Sequence, residues 1–501
     1  MKQLLLSNGT IVSHGQKLQS DILIEGEKIL KIEKDLMFGS LLKRAEAEYI
    51  DADGCYIFPG FIDAHTHLDM KTDFVHTADN FETGTRAALA GGTTTVIDFA
   101  IQQKTETLNE AFDNWIELAE GNSSCNFAFH IAITDWQPNE LENDEQNLAR
   151  NADTAMQLQE LLERGITSVK VYMVGDSVRL SDPQIFEILT KAKELGILVG
   201  CHCENGDMVE RLIDEELTNG HKKPSSHPIS RPSPVEAEAI ARFLSLAQMA
   251  NIPVHIEHLS TKEGLEQIKL ARKRGQQFYV ETCPQYITLT DSLYRKARFE
   301  GAKYDCTPPL RKKTDTKALL KDLARFSHEK ELLAKDNSLI QTVSTDHCAF
   351  NFKDDKELGK KDFSKIPSGL PGVQHRAQIL FTVANIGKNT EELPKGSVQL
   401  DVTQFAALMS ENQAKIFGMF PERGTIQEGA IADIVIWDPT HTETITTDNC
   451  LHNCDYTPFE GMEVQGKAKY VVMNGELCAK NGKILKEKSG QYIARHSHNF
   501  Q

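Results

Sequence analysis

Between about residues 56 and 346, eight short β-rich runs alternate with amphipathic helical patterns, and this alternation limits the fold more than any other feature. The runs are 56–65, 93–99, 126–133, 167–173, 197–203, 253–258, 277–281 and 339–345, with helical stretches such as 145–164, 184–195, 234–250 and 262–274 between them. Strand and crossover helix repeated eight times predict an α/β chain closed into a (β/α)8 TIM-like barrel. The flanks have another character. Residues 1–54 and 424–485 carry short strand patterns with turn signals, among them Asn8-Gly9, a dipeptide suited to a tight hairpin. Two β-rich ends around a barrel predict a small β-sandwich assembled from both termini. The chain then divides into 1–54 plus 424–485, a barrel over 55–423, and a polar C-terminal tail over 486–501.

Charge and composition exclude several classes of partner. A formal net charge of -17 argues against nucleic acid and against an anionic membrane surface. No apolar run approaches the roughly 18 residues that a membrane span needs. The N-terminal apolar run, Leu4-Leu5-Leu6, is too short for a signal peptide. Ten cysteines spread over 501 residues, none in a Cys-x-x-Cys pair, form no disulfide framework and read as reduced or buried thiols. A cytoplasmic protein is expected.

The ends of the proposed strands carry the chemistry, because barrel enzymes build their sites at the C-terminal face. His65 and His67, two residues apart in a strand, point to one face and can offer two imidazoles to one ion. A lone His-x-His is weak evidence, as His496 and His498 illustrate in the polar tail. The first pair gains weight from Lys170 on strand 4, His202 on strand 5, His258 on strand 6 and Asp346 on strand 8. Imidazoles with a carboxylate are the ligand types that zinc prefers. His255 and His258 differ by three, so only one of them enters the site, and His258 at the strand end is the better placed. By the same alternation His347 faces away from Asp346, and His130, in mid-strand, belongs to the core. Lys170 is the odd member, because an ammonium cannot ligate a cation. Two divalent ions bring four positive charges, offset only by Asp346 and one hydroxide, so an ammonium beside them would shed its proton. A neutral amine can take up carbon dioxide as a carbamate whose two oxygens bridge two metals.

Over nearly its whole length the chain resembles the cyclic amidohydrolases of the dihydropyrimidinase and D-hydantoinase family. The likeness rests on Gly60-Phe-Ile-Asp-Ala-His-Thr-His-Leu-Asp69, Lys170-Val-Tyr-Met173, His202-Cys-Glu-Asn-Gly-Asp207, His258-Leu-Ser260, Glu281-Thr-Cys-Pro-Gln-Tyr286, Pro308-Pro-Leu-Arg311 and Ser344-Thr-Asp-His-Cys-Ala-Phe350. It implies two zinc ions or similar divalent ions per subunit. His65, His67 and Asp346 would hold one, His202 and His258 the other, and Lys170, modified to N6-carboxylysine, would bridge them. It further implies a homotetramer or homodimer. The reaction would be hydrolytic ring opening of a 5,6-dihydropyrimidine or 5-substituted hydantoin to an N-carbamoyl amino acid, with Asp346 moving the proton.

Two departures bear on the substrate. The resemblance leads one to expect a tyrosine five residues after the bridging lysine, and this chain has Gly175 there. Tyr172, on the lysine's side of the strand, is a candidate replacement. Thr307 and Ser368 stand in the loops that grip the ring amide edge in the family and are the candidate substrate contacts. An allantoinase-like cyclic ureide hydrolase is the rival enzyme. A non-catalytic scaffold of the same fold is the rival class, disfavoured because all six metal-site positions are retained.

Overall fold

The computed structural model describes residues 2–39, 41–42, 47–72, 74–104, 106–136, 145–498 and 500. Its centre is an eight-stranded, all-parallel sheet of β1 (Phe61–Thr66), β2 (Thr93–Ile101), β3 (Asn126–Ala132), β4 (Ser168–Tyr172), β5 (Leu198–His202), β6 (Val254–Ile256), β7 (Phe278–Thr282) and β8 (Thr342–Val343). Each strand pairs with its neighbour in sequence. The sheet curls round until its last strand meets its first: the Asp346 N–H donates to His65 O (2.9 Å), the His67 N–H to His347 O (2.8 Å), and Thr66 bridges His347 in parallel. Strands covered on both faces read as apolar runs, and all eight are buried almost throughout. The helices expected between them are present, among them Glu145–Glu163, Asp182–Leu195, Ser233–Ala250 and Lys262–Lys273.

Three strand assignments change. The run 56–65 is two strands, Tyr56–Pro59 and β1, which part at Gly60 and join different sheets. Both halves are buried and apolar, so hydrophobicity alone does not mark the break. β6 stops at Ile256 and β8 at Val343, short of the expected 258 and 345. Just beyond them, His258 (φ 36°) and Asp346 (φ 53°) adopt positive φ, which ends the extended ladder.

Two further sheets form from the ends of the chain. One has four strands, in the order Lys28–Glu33, Asp21–Glu25, Gln3–Ser7, Ala47–Asp51. The other has seven and unites Thr10–Ser13, Gln16–Gln19 and Tyr56–Pro59 with Ile434–Thr444, Glu463–Met473, Glu476–Lys480 and Lys483–Ile484. Leu4, Ile22, Ile24, Ile57, Ile434, Ile436 and Val472 share one apolar core. Asn8-Gly9 does not close a hairpin. Asn8, at φ 67°, passes the chain from the four-stranded sheet to the seven-stranded one, and the hairpin turns instead at His14-Gly15, between Thr10–Ser13 and Gln16–Gln19.

The C-terminal segment, polar in sequence, lies against the barrel. The Ile493 N–H donates to Phe127 O (2.8 Å), and the His496 and His498 N–H groups donate to Gly418 O (2.9 Å) and Gly196 O (3.0 Å). Arg495 is buried and donates to Ser168 Oγ (2.8 Å) at the start of β4. No helix among the described residues is long and apolar enough to cross a membrane.

Candidate metal centre

His65 and His67 reach the barrel mouth on one face of β1, with ring centroids 5.2 Å apart. Asp346 arrives from the end of β8, its Oδ1 3.2 Å from His65 Nε2 and 3.3 Å from His67 Nε2. Ligand atoms of these three residues lie within 4.8 Å of one another, and so do ligand atoms of His65, Glu257 and His258. His65 belongs to both groups. The His202 ring stands beside the second group, 4.5 Å from that of His258 between centroids. Lys170 lies between, its Nζ 3.2 Å from His65 Nε2 and 4.1 Å above the Phe99 ring. The five candidate metal ligands and Lys170 therefore converge.

Carboxylates fix the orientation of two of the rings. Glu281 Oε1 is 2.8 Å from His65 Nδ1, and Glu204 Oε2 is 2.9 Å from His202 Nε2. With those nitrogens engaged, His65 Nε2 and His202 Nδ1 are the atoms that can meet a cation. A carboxylate on the far nitrogen is the usual partner of a metal-binding histidine. Glu204 is itself held by Arg231 Nη1 at 2.6 Å. His67 Nδ1 and His258 Nε2, both buried, have no hydrogen-bond partner among the described residues. Buried imidazoles short of partners, converging with a carboxylate, suit a divalent ion of the zinc type.

Electrostatics separates the members of the cluster. Burial and the Lys170 ammonium oppose a proton on His65, but the Glu281 and Asp346 carboxylates outweigh them and lift its pKa to about 10. Burial pulls His67 down to about 4. Burial alone would raise Asp346, yet His65 and His67 hold it well below the usual carboxylate range.

The residues that sequence reasoning missed are the carboxylates. Glu281 and Glu204 lie inside motifs already singled out, and Glu204, two residues after His202, shares its side of the strand. Glu257 gave no such signal. Alternation should turn it away from His258, but the positive φ at His258 breaks the alternation, and both side chains enter the site. Glu257 Oε2 lies 2.8 Å from Lys170 Nζ and supplies a negative charge that the count from sequence did not include.

Around this centre, His347 faces away from Asp346: its Nε2 meets Asp79 Oδ2 at 3.1 Å, and its Nδ1 accepts the Gly372 N–H at 3.0 Å. That bond helps hold the loop carrying Ser368 beside β8. Ser368 Oγ donates to Asp305 Oδ1 (2.6 Å), and the buried Lys356 Nζ donates to Asp305 O (3.1 Å) and Pro367 O (2.7 Å), so the loops of Thr307 and Ser368 are tied together. His130 is a core residue whose Nε2 meets Ala64 O at 3.0 Å.

Comparison with known proteins agrees with the geometry. Residues 56–478 match the model of the amidohydrolase family. A D-hydantoinase of Geobacillus stearothermophilus is 39% identical over 494 residues, covering 98% of this chain and 96% of its own. The chain belongs to the dihydropyrimidinase and hydantoinase family. A dihydropyrimidinase of Dictyostelium discoideum is 32% identical over 98% of this chain and 90% of its own. The crystal structure of a dihydropyrimidinase from Brevibacillus agri, 38% identical, superimposes with a TM-score of 0.88 over 99% of both chains. This amidohydrolase is thus an enzyme that hydrolyses cyclic amides.

Gly175 stands where the resemblance led one to expect a tyrosine. It sits at φ +95°, and a Cβ there would stand 3.0 Å from Val178 Cγ2, so the backbone is shaped for glycine. Tyr172 lies beside the metal centre. Its ring stacks on that of His202 with centroids 6.2 Å apart, and Lys170 Nζ lies 5.0 Å from its centre.

Proposed function

We propose that this enzyme opens a 5,6-dihydropyrimidine or a 5-substituted hydantoin to an N-carbamoyl amino acid, using two zinc ions. The observation that carries the reading is that His65 is shared by two ligand groups, one with His67 and Asp346 and the other with Glu257 and His258. On this reading His65, His67 and Asp346 would hold one ion, His202 and His258 would hold the other, and Lys170, carrying a carbamate derived from carbon dioxide, would serve both. Bound there, divalent ions polarise a carbonyl and make water nucleophilic at neutral pH.

The protein's own groups do the rest. Glu281 and Glu204 keep the His65 and His202 rings in place. Asp346 accepts a proton from the attacking water and returns it to the ring nitrogen as the ring C–N bond breaks, so the carbonyl carbon gains the oxygen and the nitrogen leaves as N–H. The Tyr172 phenol takes the part of the absent tyrosine and donates to the developing oxyanion. Thr307 and Ser368 grip the amide edge of the ring. By the same likeness and by composition, the enzyme acts as a homotetramer or homodimer in the cytoplasm on a small cyclic ureide.

Gly175 favours a second reading, an allantoinase-like enzyme for another cyclic ureide. Turnover of dihydrouracil, hydantoin and allantoin, measured in parallel on protein of known metal content, decides between them. Metal near two equivalents with turnover of the first two substrates is expected. Fast turnover of allantoin alone selects the second reading, and a metal-replete preparation that binds no ion refutes both.

A further inference from the structure

We propose that Glu257 is a ligand of the second metal ion, a carboxylate added to the imidazoles of His202 and His258. The inference rests on the binuclear reading above and extends it to a residue outside that ligand set.

Three observations converge on Glu257. Its carboxylate is 4% exposed, and one of its oxygens lies within 4.8 Å of ligand nitrogens of both His65 and His258. Its Oε2 is ion-paired with Lys170 Nζ at 2.8 Å and, among the described residues, accepts no hydrogen bond of good geometry. The barrel also leaves room for it: a Cβ at Gly200, on the adjacent β5, would overlap the Glu257 carboxylate. A buried carboxylate is costly unless it is paired or coordinates a metal.

The charge of the centre points the same way. Two divalent ions bring four positive charges into a buried site. Asp346, the hydroxide and a carbamate on Lys170 return three, and Glu257 returns the fourth. A low-dielectric interior favours the more nearly neutral assembly. The position of Glu257 directly before His258, whose positive φ turns both side chains into the site, gives it the reach.

The test is Glu257→Gln, which keeps the shape and removes the charge. Wild-type protein titrated with zinc against a chromophoric chelator should take up two equivalents. The variant should keep one and bind the other at least about tenfold more weakly, since even an outer partner of a metal ligand is worth that much. A folded variant that binds both ions with wild-type affinity overturns the inference. A zinc-loaded crystal structure of the wild-type enzyme gives a second readout that needs no variant. A Glu257 oxygen about 2.0–2.2 Å from an ion supports the assignment. Two bound ions with Glu257 still on Lys170 overturn it and leave the binuclear reading standing, whereas a wild type that binds neither ion removes both.

Discussion

Tyr172 and Gly175, three residues apart, carry the specificity question between them. If the Tyr172 phenol steadies the oxyanion, Tyr172→Phe should lower kcat on dihydrouracil or hydantoin by about 10² to 10³ with little change in KM, because the bond matters most in the transition state. Steady-state kinetics checks this, and an unchanged kcat would remove Tyr172 from the mechanism. Placing the tyrosine at Gly175 is not the simple repair that sequence comparison suggests. The φ of +95° and the nearby Val178 methyl oppose any side chain there, so Gly175→Tyr should cost stability of about 1 kcal/mol or more, read as a lowered urea midpoint. The convergence of these histidines with Asp346 was legible in the sequence, since such residues at the ends of barrel strands meet at one face. Glu257 was not, because one residue in the left-handed region undoes the alternation on which such reading depends.

At the scale of elements, a buried pair helps to hold the loops around the mouth, beside an apolar cluster of Ala349, Cys454 and Tyr456. Asp79 receives the His347 ring (3.1 Å), the Asn453 N–H (2.7 Å) and the Thr83 hydroxyl (2.7 Å), joining the end of β8 to two other segments. Burial opposes its charge, but His347 and the other donors lower its pKa below the ordinary 3.8. A depressed carboxylate stabilises the fold fully above its unfolded value, and that contribution fades as pH falls from 3.8 through the folded value. Asp79→Asn should therefore cost about 2 kcal/mol near neutral pH, the worth of a hydrogen bond to a charged group, and lose less against wild type in acid. Urea unfolding of both proteins across pH measures the difference; a gap that does not narrow in acid would refute a stabilising charge on Asp79. Strands and helices here were readable because full burial leaves apolar runs and amphipathic helices keep their period. The split at Gly60 was not, since two collinear buried strands have the composition of one.

For the molecule as a whole, the two ends of the chain bind what lies between them. Deleting residues 490–501 removes the backbone bonds to Phe127, Gly196 and Gly418 and the Arg495 contact with Ser168. At about 1 kcal/mol for each of these four bonds, the loss should be on the order of 4 kcal/mol, seen as a lower melting temperature with the candidate metal ligands intact. An unchanged melting temperature would mean that the segment only rests on the barrel. Its polar composition hid this, because the groups it uses are mostly backbone.

Tyr56–Pro59 also fixes an order of events during synthesis. It pairs with Thr10–Ile11 on one side and with Ile434–Trp437 on the other, immediately before the first barrel strand begins. A ribosome has made the whole barrel before residue 434 emerges. Until then the nascent chain carries Ile57 and Phe58 on an open strand edge, next to a barrel that is otherwise ready to close. An edge of that kind invites pairing with another chain. Pausing late in translation, or a fusion that delays release of the C-terminus, lengthens the time for which the edge stays open.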